Sequence, residues 1–296
     1  MQTTEGLRCV VPGSDVLGET PLWCEQTQSV LWLDIEEAKL QRFHPASGRH
    51  DVYQFDERHV GSLALLRQPG RVLLGIDLAL ETFDLGTGAR EKLCQVEPAG
   101  TDNRLNDGRC DSRGRFWVGT MDNQLSRGNG ALYRVDPDGS VHHQFGDVIV
   151  ANTVAFSPSE DTLYFSDTRR YTTWRFGLDV AAGTLRPREV FVDHTAQRDR
   201  PDGACTDSEG YVWNAIFGGG RVVRYAPDGT VDRVLQLPAS NPTCVCFGGP
   251  ELRTLFITTA RRFLTRAQLR EQPWAGSLLA IDVDVSGLPE RRFGRD

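Results

Sequence analysis

Six copies of one apolar strand, spaced almost evenly through 296 residues, limit what this chain can fold into. They read SVLWLD from Ser29, RVLLGID from Arg71, RFWVGTMD from Arg115, TLYFSDT from Thr162, YVWNAIF from Tyr211 and TLFITTA from Thr254. Their starts lie 42, 44, 47, 49 and 43 residues apart by subtraction. Repeats of about 40 to 50 residues are the length of one four-stranded blade.

A second, alternating strand ending in a polar turn follows each copy: KLQRFHPASG, LETFDLGTG, ALYRVDPDG, TWRFGLDVAAG, VVRYAPDG and SLLAIDVDVSG. Before each copy lies a shorter segment of small and polar residues: GETPLW, GSLALL, NDGRCD, NTVAFS, PDGACT and PTCVCF, the innermost strands of the blades. The unit Arg200 to Gly229 shows the pattern whole, with turns at Asp207 to Gly210 and at the triple glycine from Gly218. Only Thr265 to Glu271 has a helical period, and no linker rich in Pro or Gly divides the chain. The expected fold is therefore all-β: one six-bladed propeller over residues 1–296, because radial closure protects strand edges that an open sheet exposes. The N-terminal LRCVV, from Leu7, is expected to add a strand to the last blade and close the ring.

Charge narrows the function. A net charge of -7 with no basic face argues against nucleic acid as a partner. No run of about 18 apolar residues is present, and the N-terminus lacks the pattern of a leader, so the expectation is a cytoplasmic protein with no membrane partner. The seven cysteines lack zinc-type spacing, and several sit in apolar strands as small reduced hydrophobes. There is no G-x-S-x-G elbow, the six histidines fall mostly near polar turns, and no phosphate-binding glycine fingerprint leads from a strand into a helix.

The repeat also places polar residues relative to one another. About nine or ten residues before the apolar strand, the successive repeats carry Glu19, Gly61, Asn106, Asn152 and Asp202. Equivalent positions in a propeller surround one axis, so Glu19, Asn106, Asn152 and Asp202 are expected to face one central pocket. Two carboxylates and amide oxygens are hard donors that suit Ca²⁺, Mg²⁺ or Mn²⁺. The plainer reading is that Asp and Asn beside Gly or Pro only form turns; four positions in matching phase weigh against it.

The runs LGETPLW, NRLNDG, GTMD, GALYRVDPDG, ANTVAFSPSED, RPDGACTDSEG, GGGRVVRY and CFGGPELRTLFITTAR, in this order and spacing, resemble the gluconolactonase, regucalcin (senescence marker protein) and luciferin-regenerating enzyme family over nearly the whole chain. The resemblance implies one divalent metal ion (Ca, Zn, Mg, Mn or Fe(II)) at the channel mouth, held by Glu19, Asn152 and Asp202. It also implies hydrolysis of a sugar lactone, a pentono- or hexonolactone, to the aldonic acid. Arg104 and Asn106 would bind the substrate, with Asn123 or its neighbour Asp122 at the place of a glutamate that assists binding in regucalcin-like members. Two departures stand out: the family commonly has Asn-Gly at the metal asparagine where this chain has Asn152-Thr153, and the glutamate is matched by Asn123 or Asp122.

In the expected mechanism the metal polarises the lactone carbonyl and Asp202 takes a proton from the attacking water, the alternative being that Asp202 only orients a metal-bound hydroxide. Arg169 and Arg170 follow the apolar strand of repeat four in a loop that either lies in solvent or recognises an anionic substituent. Two other readings stay open: hydrolysis of other esters or organophosphates at the same ion, and a non-catalytic metal-binding propeller.

Overall fold

The computed structural model describes residues 5–295; residues 1–4 and 296, the ends of the expected 1–296 unit, lie outside the described residues. Six antiparallel sheets surround a central channel as the blades of a β-propeller. Strand β1 (Arg8–Val11) comes first. Blade one is β2 (Gly18–Cys24), β3 (Ser29–Asp34), β4 (Lys39–His44) and β5 (Arg49–Gln54). Blade two is β6 (Val60–Leu66), β7 (Arg71–Ile76), β8 (Ala79–Asp84) and β9 (Arg90–Gln95). Blade three is β10 (Asn103–Cys110), β11 (Phe116–Asp122), β12 (Gly130–Val135) and β13 (Val141–Val148). Blade four is β14 (Ala151–Phe156), β15 (Thr162–Asp167), β16 (Thr172–Asp179) and β17 (Thr184–Asp193). Blade five is β18 (Arg200–Thr206), β19 (Val212–Phe217), β20 (Arg221–Tyr225) and β21 (Val231–Gln236). Blade six is β22 (Pro242–Gly248), β23 (Thr254–Thr259) and β24 (Leu278–Asp282), with β1 as its outer strand. A short strand β25 (Arg292–Phe293) runs parallel to β6 on the inner side of blade two.

The repeating apolar strands are β3, β7, β11, β15, β19 and β23, each second from the axis and buried on both faces between neighbouring blades. That double burial explains why they read as apolar runs rather than alternating ones. Between β23 and β24 lies the one α-helix among the described residues, α1 (Arg266–Glu271), where Thr265 and Gln268 form a reciprocal capping box.

The turns entering β11 and β19 use the same device. In the second, Asp207 Oδ1 accepts from the backbone N–H groups of Glu209 and Tyr211, both at 3.0 Å. Its Oδ2 accepts from Trp213 Nε1 and Arg224 Nε, both at 2.8 Å. Asp111 repeats the arrangement with Arg113, Arg115 and Trp117. One buried carboxylate thus satisfies the turn and fixes the indole that fills the gap between blades. No helix among the described residues is long and apolar enough to cross a membrane.

His194, just after β17, joins blades four and five. Its Nε2 meets Thr173 Oγ1 at 3.0 Å, and its ring meets the edge of Tyr225 with centroids 5.9 Å apart. Burial pulls the imidazole pKa down to about 4; Asp199 and Asp193 oppose that pull and Arg221 adds to it. A folded-state pKa below that of the unfolded chain gives stability that is complete above about pH 6.5 and is lost as pH falls towards 4. His194→Gln should therefore flatten the decline in Tm between pH 6.5 and 4, corresponding to roughly 2 kcal/mol at the acid end. Thermal melts of both proteins at stepped pH test this, and parallel declines would exclude His194 as the titrating group.

Candidate functional site

Each of the six inner strands breaks register with its neighbour at one corresponding place. The shift falls between Glu19 and Leu22 in β2, Val60 and Ser62 in β6, and Leu105 and Gly108 in β10. It recurs between Asn152 and Ala155 in β14, Pro201 and Ala204 in β18, and Pro242 and Cys244 in β22. A bulge leaves residues outside the ladder and re-aims the side chains around it. Asn106 and Asp202 lie outside the ladder, whereas Glu19 and Asn152 are the last paired residues before the break, opposite Leu33 and Ser166.

Glu19, Asn106, Asn152 and Asp202 consequently line one cavity of about 370 Å³, joined there by Arg104. All five are buried. The Glu19 and Asp202 carboxyl groups come within hydrogen-bonding reach of one another, and burial together with like charge, their own and that of Asp107, raises both pKa values. Arg104 stays cationic: burial lowers its pKa only to about 10.

Repeat two has no side chain at this level for a steric reason. A Cβ on Gly61 would lie 2.1 Å from the Leu105 carbonyl oxygen and 3.4 Å from Arg104 Nη1. Arg104 occupies that space, where Nη1 donates to Leu105 O at 3.0 Å and to Asn106 Oδ1 at 2.5 Å. Repeat six presents Thr243, whose hydroxyl is used to tie blade six to blade one by donating to Gly18 O at 2.5 Å.

The hydrogen bonds of the site run one way. Guanidinium is donor-only, so Asn106 must turn its oxygen to Arg104 and its Nδ2 away. That Nδ2 donates to Ala151 O at 2.7 Å and to Asn152 Oδ1 at 3.0 Å. Asn152 Nδ2 then donates to Thr168 Oγ1 at 2.8 Å, and Thr168 donates on to Pro201 O at 2.6 Å. The chain of bonds fixes which amide atom of Asn152 is oxygen and ends on the residue before Asp202.

At the Asn152-Thr153 departure the backbone takes the conformation a glycine would supply: Thr153 has φ 56. That region is strained for a β-branched residue, at a cost on the order of 1–3 kcal/mol. Two hydrogen bonds offset it, since the Thr153 hydroxyl donates to Asp202 O at 2.5 Å and accepts from Asn214 Nδ2 at 3.1 Å. The threonine thus links the metal-site asparagine of the resemblance to the strand that carries Asp202.

Asn123 is not brought to this cavity. It lies beside a neighbouring hollow with His59 and Asp77, and the same loop sends Gln124 and Leu125 to the central cavity instead. Asp122 is occupied elsewhere: its carboxylate accepts from Ser126 and Arg127, which hold its pKa far below the usual range. Of the two loop arginines, Arg169 lines the cavity, whereas Arg170 pairs with Asp147 at 2.6 Å. The repeat pattern did not single out Thr168, Arg200, Arg262, Phe217 or Phe263, which also line the cavity. Of these, Arg200 lies two positions before Asp202 and Thr168 directly before Arg169, the sequence neighbours that could have pointed to them.

The donor set suits a divalent cation: two carboxylates whose mutual repulsion a cation would relieve, and an amide oxygen already oriented by its neighbours. Among the described residues no group of three or more His, Cys, Asp or Glu side chains could hold a metal, so any ion here must use the amide oxygen or water in addition.

Residues 17–261 match the model of the SMP-30/Gluconolactonase/LRE-like region. The chain is 38% identical to 6-deoxy-6-sulfogluconolactonase of Pseudomonas putida over 98% of this chain and 99% of the relative. It is 34% identical to L-arabinolactonase of Azospirillum brasilense over 94% and 92%. In structure it superposes on the calcium-binding protein regucalcin of Agrobacterium tumefaciens with a TM-score of 0.93, at 32% identity over 97% and 96% of the two chains. The chain belongs to the SMP-30/gluconolactonase/LRE-like family.

Proposed function

We propose that this protein is a sugar lactonase, a carboxylic ester hydrolase that opens an aldonolactone to the aldonic acid with a divalent cation bound by Glu19, Asn152 and Asp202. The observation that carries the proposal is the buried pair Glu19 and Asp202, converging with an oriented Asn152 amide in a cavity large enough for a monosaccharide ring. Relatives named as lactonases over nearly their whole length support the reaction class. The cation, when bound, supplies Lewis-acid polarisation of the lactone carbonyl and balances the two carboxylate charges.

The protein's own groups do the rest. Arg104 keeps Nε and Nη2 without a partner among the described residues, so they are available to ring hydroxyls while Nη1 remains tied to Leu105 and Asn106. Asp202 accepts the proton of the water that attacks the carbonyl carbon. As the ring C–O bond breaks, the same proton passes to the departing ring oxygen, which leaves as a hydroxyl; the water's second proton remains on the new carboxylic acid and is released to solvent, so the product carries a carboxylate. Glu19 is held by the Thr20 N–H at 2.8 Å and acts as a fixed ligand rather than a base.

Asp202→Asn separates this reading from a non-catalytic propeller. It should lower kcat/KM for pentono- and hexonolactones by about 10³ or more. In chelator-treated protein its Tm should equal or exceed that of the wild type, because one of two buried acids, each disfavoured by burial and by the other, is gone. Adding a divalent ion should raise the Tm of the wild type and not that of the variant. Equal stabilisation of both proteins would remove Asp202 from the cation site.

Thr168→Val should act through Asn152. Loss of the acceptor for Nδ2 frees the amide to turn its nitrogen towards the cation, and affinity for the ion should fall roughly 10- to 100-fold, as for other groups that orient a ligand. Thr168→Ser should restore it. Metal titrations of the three proteins decide the matter, and an unchanged affinity in Thr168→Val would refute the orienting role.

A further inference from the structure

Four arginines line the central cavity: Arg104, Arg169, Arg200 and Arg262. Two have carboxylates to answer their charge. Arg104 stands near Glu36, Glu19 and Asp202, with Nη1 tied to Leu105 and Asn106, and Arg262 is paired with Glu36. The guanidinium groups of the other two have no carboxylate partner among the described residues. That of Arg169 donates only Nε, to Leu125 O at 3.1 Å, while its backbone N–H donates to Asp167 Oδ1 at 3.1 Å. Arg200 is held by shape instead of charge: its guanidinium lies over the Phe217 ring, 5.0 Å from the centroid, and over Gly218, where a Cβ would meet Nη2 at 2.1 Å. The carboxylate beside it in sequence, Asp199, gives both oxygens to Arg221 at 2.6 Å.

Shortage of acids does not explain this, since 40 Asp and Glu stand against 33 Lys and Arg. Nor does a neutral sugar lactone, which offers hydroxyl and carbonyl groups and gives no reason to keep two guanidinium charges unneutralised in its cavity. A forked donor held on an aromatic face suits a planar or tetrahedral oxyanion. Arg169 is exposed, which puts it at the mouth, whereas Glu19 and Asp202 are buried at the floor. An anion met by Arg169 is therefore at the end of the ligand remote from the scissile carbonyl.

We infer that Arg200 and Arg169 form a subsite for an anionic group on the terminal carbon of the lactone, so that the preferred substrate is the lactone of a sugar acid bearing a sulfonate, phosphate or second carboxylate. The inference takes its ligand scaffold from the lactonase reading, yet it can be tested by binding alone. The probes are aldonic acids with and without a terminal sulfonate, phosphate or carboxylate, titrated calorimetrically into wild type, Arg200→Gln, Arg200→Lys and the Arg169→Gln/Arg200→Gln double variant, with melts to establish that each is folded.

In the wild type a tailed acid should bind at least tenfold more tightly than its untailed parent. The preference should fall below about twofold in the double variant and be intermediate in Arg200→Lys, which keeps charge without the fork. Which tail binds best identifies the anion. Equal binding of tailed and untailed acids by the wild type overturns the inference, as does a preference that survives in the double variant. The lactonase reading fails separately: if no lactone is turned over while the tail preference holds and depends on Arg200, the anion subsite stands and the hydrolytic role does not.

Discussion

The burial of two like charges on one axis is the constraint from which most of the channel follows. Glu19 and Asp202 face each other away from bulk water, and Asp107 adds a third carboxyl one residue below Asn106 on β10. Each such group costs several kcal/mol unless it is paired, hydrogen-bonded or neutralised. Along β10 the compensation can be followed in order. Arg104 is beside the pair, Asp107 accepts from the Val154 N–H at 2.8 Å, and Arg109 meets Glu290 at 3.1 Å and donates to Ala204 O. Glu290 comes from the C-terminal segment, which reaches under the channel before β25 joins β6. The tail of the chain therefore balances charge in the channel as well as adding a strand to blade two.

The same axis explains the bonds between blades. Ser62 donates to Asn106 O, Asn106 to Ala151 O, Thr153 to Asp202 O and Thr243 to Gly18 O, each from one inner strand to the next. Bulges expose inner-strand carbonyls to the channel, and short polar side chains from the adjacent blade satisfy them. Site and scaffold are thus one network: the residue that ties two blades together often neighbours, or is, the one that faces the cavity.

Legibility in the sequence follows burial. The three strands nearest the axis could be read because two faces of protein impose an apolar or small-residue pattern on them; SVLWLD and TLYFSD coincide with β3 and β15. The outer strands gave almost no signal. Residues of β9 and β17 are largely exposed, so REKLCQ and TLRPREVFVD obey no strict alternation, and β25 is too short for any pattern. At the site, phase within the repeat was enough to bring Glu19, Asn106, Asn152 and Asp202 together, because a propeller converts sequence phase into position around an axis. Phase says nothing about loops between strands. Thr168, Phe263 and Gln124 reach the cavity from such loops, and the Asn123 to Leu125 turn points its middle and last residues inward rather than its first.

Thr153 shows how a departure from a family pattern can be read physically. Glycine would take φ 56 without strain, but it would leave the Asp202 carbonyl and Asn214 Nδ2 without the hydroxyl they now share. Threonine trades backbone strain for two hydrogen bonds on the strand that carries Asp202. Those bonds cross from blade four to blade five at the level of the cavity, so the substitution stiffens the span between Asn152 and Asp202 while leaving the donor atoms themselves unchanged. For the cation site proposed here, fixing the separation of Asn152 and Asp202 would matter as much as the choice of oxygen donors.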